Sequence, residues 1–352
     1  MERRRALLGI LCNEISGDHL PWVEACEEYS TEVEYRLINF TGSQWLHQIR
    51  SEPFDALLAR PSGLSSSFKR LYDERIEILD RQGYFIYPSP QELYIYENKR
   101  YLYSWLEANR IPHPRTRIFY NRSEADSFVQ TATYPIVAKT NIGASGSGVM
   151  ILTNRREAAS YLKASFGGRG APRRWGPDIK RGGLLKRAMA YAGSPLLIRE
   201  KIFIYRIRRQ ERQHGFVILQ DYIPHDYEWR VVVIGDSLFA HKKIRSGYKA
   251  SGTLLKCYGD PPLSIFDFSR EIMEQTGFYS QAIDILEDGP GNYLINELQC
   301  IFGQSDPWQM KVGGVPGRYR YIDGKYRFEA GDFNMNQSFN LRLEHLLSLM
   351  PE

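Results

Sequence analysis

Over the first ninety residues, short apolar runs alternate with stretches of helical periodicity, and that order leaves few folds open. ALLGILC (6–12), EYRLINF (34–40), FDALLAR (54–60) and YFIYPS (84–89) read as strands. Between them PWVEACEEY, a short stretch after Ser43 and FKRLYDERIEILDRQ read as helices. Strands and helices in strict alternation predict a parallel sheet with crossover helices, hence an α/β unit over residues 1–92.

The chain then changes character. KRYLYSWLEANR (Lys99–Arg110) reads as a packed helix, with Tyr101, Leu102, Trp105 and Leu106 on its apolar side; it stops before IPHPRT, where prolines forbid continuation. TRIFY, a helix after Ser123, YPIVAKT, VMIL (149–152) and a helix capped by Asn154 and running to about Ser165 complete a unit that extends to residue 215. From 216 to 352 the sequence is strand-rich. GFVILQDYI, EWRVVVIG, SLFAHKKIR, QAIDILED and YLINELQCIFG are joined partly by hairpin turns, with one helix from Ser264 to Gly277 and an amphipathic helix at the end.

Composition excludes several classes. With 43% hydrophobic and 25% charged residues the chain has the balance of a soluble globular protein. No apolar run approaches the roughly 18 residues a membrane span needs, and MERRRALLGILCN lacks the long apolar core of a signal peptide, so a cytoplasmic location without a membrane span is expected. Cys12, Cys26, Cys257 and Cys300 are scattered without a CxxC, which argues against zinc and against a disulfide frame. The net charge of +5 is local: Arg169 to Arg212 holds 13 Lys/Arg against three acids, leaving −5 for the rest. Such a block suits either a solvated helical face or contact with an anionic partner, substrate or nucleic acid.

Three features carry chemistry. In YPIVAKTNIGASGSGV (134–149) a strand ends on Lys139 and runs into small residues, Gly143, Ser145, Gly146, Ser147 and Gly148, whose N–H groups suit phosphate oxygens. The lysine precedes the glycines and the spacing is not GxGxxG, which removes the Walker and dinucleotide loops; a simple glycine-rich hairpin stays open. Asp284 and Glu297 lie mid-strand in AIDIL and YLINELQ, where an unpaired acid is expensive; magnesium ligation with Gln299 on the same face, or salt bridges to arginine, both account for them. Gln220, Asp221, Tyr222 and Ile223 end a strand and suit an adenine edge, while Glu228 and Arg230 share a face of the next strand. Arg230 and Arg245 are permanent bidentate clamps for phosphate or carboxylate.

The order of these pieces resembles the ATP-grasp superfamily over roughly residues 85–305, nearest to the branch with ribosomal-protein glutamate ligases and bacterial glutathione synthetase. NKRYLYSWLEANRIPHPRT is similar to the segment that supplies that family's first phosphate lysine, which points to Lys99. The resemblance implies an ATP-grasp fold behind an N-terminal parallel α/β domain. It implies Lys139 as the second phosphate lysine under a glycine lid, Asp221 and Tyr222 at the adenine, Glu228 at the ribose, and Arg230 with Arg245 at the reacting phosphate. Two magnesium ions (or manganese) would sit on Asp284, Glu297 and Gln299, although the family's last motif is ExN and here Gln299 replaces the asparagine. The implied activity is ATP-dependent joining of a small-molecule or peptide carboxylate to an amine through an acyl phosphate. ATP binding without ligation, and nucleic-acid binding by the basic block, are the alternatives; a homodimer is the default among oligomers.

Overall fold

The computed structural model describes residues 4–143, 148–172, 195–246, 249–250, 256–304 and 306–350. The alternation at the N-terminus folds as its pattern predicts. Strands β1 (Ala6–Cys12), β2 (Val33–Asn39), β3 (Ala56–Ala59) and β4 (Ile86–Tyr87) form a parallel sheet in the order β2-β1-β3-β4. Helices α1 (Leu20–Glu28), α2 (Trp45–Arg50) and α3 (Ser66–Arg81) are the crossovers, α3 being capped by the Ser65 hydroxyl. Two helices lead out of this unit. In α4 (Pro90–Ile95), Ser89 and Glu92 form a reciprocal capping box, and in α5 (Lys99–Ala108) the Asn98 side chain caps the first turn.

Next come β5 (Thr116–Phe119), α6 (Arg122–Thr131), β6 (Ile136–Lys139), β7 (Val149–Leu152), α7 (Arg155–Phe166), α8 (Pro195–Gln210) and β8 (Val217–Asp221). Their strands make an antiparallel sheet, β5-β8-β6-β7, with α6 and α7 packed together. A larger antiparallel sheet follows. It contains β9 (Tyr227–Ile234), β10 (Ser237–Ser246), the short β11 (Lys249–Ala250) and β12 (Lys256–Cys257), then, after helix α9 (Leu263–Thr276), β13 (Ser280–Glu287), β14 (Tyr293–Gln299), β15 (Lys311–Val312), β16 (Val315–Ile322) and β17 (Lys325–Ala330). Its centre is all but closed to solvent, with Val231 to Ile234 and Ala282 to Ile285 buried.

The hairpin β16–β17 was not among the expected strands. Its signal is present: YRYIDGKYRF alternates around an Asp-Gly turn, in which Asp323 and Gly324 both take positive φ. The closing helix α10 (Phe339–Leu349) returns to the N-terminal sheet, setting Phe339, Leu343 and Leu346 against Leu8, Ile10 and Trp22. Trp22 meets Phe339 edge to face at 4.8 Å and Tyr87 at 6.0 Å. Chain start and chain end therefore share one core. Because large aromatic truncations in cores cost about 3–5 kcal/mol, Trp22→Ala is expected to lower the urea midpoint by that amount of stability and to loosen both segments.

Among the described residues, no helix is long and apolar enough to cross a membrane.

Candidate active site

The two antiparallel sheets face one another across a cavity of about 510 Å³. It is lined by β6, β8, β9, β10, β13 and β14, and the charged residues singled out in the sequence meet there with one exception.

Asp284 and Glu297 are register partners on β13 and β14. Asp284 is fully buried and accepts from Arg230 through Nε (2.8 Å) and Nη2 (2.9 Å), and from Lys243 Nζ at 2.7 Å. Burial alone would raise its pKa, but the two cations hold the carboxyl well below the usual range. Glu297 pairs with Lys99 Nζ at 2.8 Å and is likewise held down, against burial, chiefly by that ammonium. Gln299 accepts from Arg230 at 3.1 Å, on the same face. Glu228 accepts from Lys243 at 2.8 Å and from Asn296 at 3.1 Å.

The two lysines differ. Burial disfavours charge on Lys99, yet Glu297 and Glu97 outweigh it and raise its pKa above the ordinary value. Lys139 donates to the Tyr103 hydroxyl at 2.5 Å and to Asn296 Oδ1 at 2.7 Å, both neutral acceptors. Burial is the largest influence on it, and with Lys99 nearby it brings the pKa down to about 8 despite Glu297. Lys139 is thus held by neutral partners, where Lys99 has a carboxylate.

The loop beyond Lys139 is described at its two ends. Gly143 donates its N–H to Glu97 at 2.8 Å, and Thr140 N–H reaches the Gly148 carbonyl at 2.8 Å. A Cβ on Gly148 would fall 1.7 Å from Thr140 Oγ1, so this glycine is a steric requirement of the loop base. Gly148→Ala is expected to destabilise the protein by about 1–3 kcal/mol, read as a lower urea midpoint. Ser145, Gly146 and Ser147 lie outside the described residues.

Gln220, Asp221, Tyr222 and Ile223 line the cavity at the end of β8. Gln220 donates to Thr116 Oγ1 at 2.9 Å, and Asp221 pairs with Arg117 at 2.7 Å. Arg245 is the exception. It does not line the cavity but donates to the Tyr222 hydroxyl at 2.9 Å and lies 3.8 Å from Asp226. The residue of β10 that reaches Asp284 is Lys243, one alternation earlier.

Sequence reasoning missed Lys243, Asn296 and His241. The first and last share the alternating face of SLFAHKKIR with Arg245 and were legible there. Asn296 was not, since a regular strand turns it away from Glu297. The ladder shifts register between Asp284 and Ile285, pairing Asp284 with Glu297 but Ile285 with Ile295, so Asn296 is the extra residue of a bulge. That bulge brings its amide into the cavity beside Lys139 and Glu228. His241 is buried against Gln309 O at 3.0 Å; burial first, then Arg230 and Lys256, lower its pKa to about 3, so it is neutral at physiological pH.

The donor set suits a hard divalent cation. It consists of two carboxylates and an amide, all oxygen, with no cysteine in the cavity lining, and magnesium typically takes one or two carboxylates with the rest from substrate phosphate and water. Among the described residues no cluster of three or more His, Cys, Asp or Glu is placed to hold a metal ion.

No protein-family model matches the sequence, and no curated protein matches it significantly. Solved structures do match. D-alanine–D-alanine ligase from Bacillus anthracis is 13% identical with a TM-score of 0.53, over 97% of this chain and 96% of its own. N5-carboxyaminoimidazole ribonucleotide synthetase from Thermotoga maritima is 12% identical with a TM-score of 0.55, over 98% of this chain and 76% of its own. Carboxyaminoimidazole ribonucleotide synthase from Aspergillus clavatus, solved with ATP, is 11% identical with a TM-score of 0.56, over 99% and 78%. The fold is the α/β ATP-grasp fold that the order of sequence motifs implied.

Proposed function

We propose that the cavity binds ATP and that the protein is an ATP-dependent carboxylate–amine ligase. The observation that carries this reading is the buried arrangement of four cations, Lys99, Lys139, Arg230 and Lys243, around the opposed carboxylates Asp284 and Glu297. Such an arrangement is poised to exchange internal ion pairs for a polyphosphate and its counter-cation. Fold likeness to a D-alanine–D-alanine ligase and to a synthase solved with ATP supports the same reading by analogy.

In this scheme the adenine lies against Gln220 to Ile223 at the end of β8, and the ribose near Glu228. Lys139, whose protein partners are neutral, takes phosphate oxygens at the base of the glycine-rich stretch. Lys99 and Lys243 neutralise charge from either side. Magnesium, bound through Asp284, Glu297 and Gln299, would supply charge neutralisation on the phosphates. A substrate carboxylate oxygen attacks the γ-phosphorus and ADP leaves, giving an acyl phosphate. The amine then attacks the acyl carbon, phosphate departs, and Arg230 steadies the developing oxyanion. Arg245 is assigned to hold the hinge tyrosine, Tyr222, instead of the reacting phosphate.

The test is ADP release across panels of carboxylates and amines, followed by an ¹⁸O-labelled carboxylate. Label recovered in phosphate supports the acyl phosphate, and its absence during amide formation contradicts it. A pH dependence follows from Lys139. Its free-protein pKa of about 8 lies below that of the phosphate-bound state, so affinity for the anion is full below pH 8 and falls above it. Nucleotide affinity is expected to be about tenfold weaker at pH 9 than at pH 7, with proton uptake on binding visible as a buffer-dependent enthalpy in titration calorimetry.

A further inference from the structure

We infer that Arg60, in the lining of the cavity, is the anchor for a carboxylate of the ligase's second substrate. This rests on reading the cavity as the ATP site and extends it to the other reactant.

Arg60 directly follows β3 and lines the same cavity as the ion network. In the sheet order β2-β1-β3-β4 the chain leaves β1 toward one side and returns to the other, which makes the β1/β3 boundary the switch point. Beyond the carboxyl ends of parallel strands, that boundary opens a crevice where ligands bind in open α/β sheets. Here the crevice opens into the cavity. Asn13, just after β1, holds the Arg60 carbonyl at 2.7 Å and so fixes where the side chain departs.

The guanidinium is left unsatisfied. Among the described residues no acceptor lies within hydrogen-bond distance of it: Nη1 is buried without a partner, and Nη2 is 3.9 Å from Asp18. Its Cζ lies 5.3 Å from the centre of the Phe339 ring. A guanidinium presents five donors in a fixed fork that matches a carboxylate, and leaving it unpaired in a half-buried place is unfavourable unless a ligand completes it.

The backbone just before Phe339 is strained. Asn336, Gln337 and Ser338 all have left-handed backbone, with φ of 47°, 55° and 64°, a run that residues with side chains avoid. It is held in place by buried bonds, Gln309 Nε2 to Asn334 Oδ1 at 2.8 Å and Ser338 Oγ to the same oxygen at 2.5 Å, and by Asn336 Nδ2 to Pro21 O at 2.7 Å. The result of this conformation is that Gln337 lines the cavity beside Gly303. Strain so firmly held is a mark of ligand sites. With Asp18 near, Arg60 carries little excess positive charge, which favours a carboxylate over a dianionic phosphate.

The experiment uses the full chain saturated with magnesium and a non-hydrolysable ATP analogue. Calorimetric titrations follow with L-glutamate, L-aspartate, succinate, the matched neutral amides and inorganic phosphate. At least one carboxylate is expected to bind while its amide and phosphate bind at least tenfold more weakly. Arg60→Gln should weaken that carboxylate by about tenfold or more, leave affinity for the ATP analogue unchanged, and regain part of the loss with added methylguanidinium. Binding of the analogue with no carboxylate bound, tighter binding of phosphate, or equal carboxylate affinity in Arg60→Gln would each overturn the inference. Failure of the analogue to bind wild type would instead remove the reading of the ATP site.

Discussion

Glu297→Ala is expected to lower ATP-dependent turnover by on the order of a hundredfold or more, the scale seen when one contact to developing charge is removed. The same change takes away the carboxylate that stands opposite Asp284 and frees Lys99 from its 2.8 Å partner. Glu97 still favours charge on Lys99, so the fold should survive with a modest loss of stability. Activity and stability should therefore separate at this position. Steady-state ADP release beside urea unfolding checks it; an active variant would remove Glu297 from the chemistry.

Asp284→Ala should behave differently. Its carboxylate satisfies both Arg230 and Lys243, and removing one member of a buried ion cluster leaves uncompensated charge at a typical cost of about 3–5 kcal/mol. Lys243 keeps Glu228 and Arg230 keeps Gln299, which places the expected loss near the lower end of that range. The sign with pH follows from the depressed carboxyl. Its stabilisation is fully present above the ordinary aspartate pKa and is lost as pH falls through the folded-state value, so the difference between wild type and Asp284→Ala should shrink in strong acid. A purely ligand-binding aspartate would behave in the opposite way, since its removal relieves repulsion with Glu297.

The sequence left a choice at these two positions. AIDIL and YLINELQ were equally consistent with metal ligands and with salt bridges to arginine. Asp284 makes such a bridge, to Arg230, while Glu297 pairs with Lys99.

How much could be read beforehand depended on periodicity. The N-terminal sheet was legible because its apolar runs alternate with helical stretches. The face shared by Glu228, Arg230 and Asp284 was legible because strands repeat every two residues. Asn296 escaped because a bulge breaks that repeat, and Arg245 was singled out ahead of Lys243 because basic residues on one face look alike until the strand's end is known. Arg60 had no motif at all. Its position depends on a sheet order and on a helix returning from the far end of the chain, both of which are tertiary facts. The basic block, read as a solvated face or a contact for an anionic partner, keeps its described residues, 169–172 and 195–212, out of the lining of this cavity.

The central claim is that Lys139 and its neighbours hold the phosphates of ATP. It is tested most directly by calorimetric titration of magnesium and a non-hydrolysable ATP analogue into wild type and Lys139→Ala at pH 7. The expected result is one nucleotide per wild-type chain, and at least tenfold weaker binding when a charged hydrogen-bond donor to phosphate is lost. No binding to wild type, or equal affinity in the variant, would contradict it.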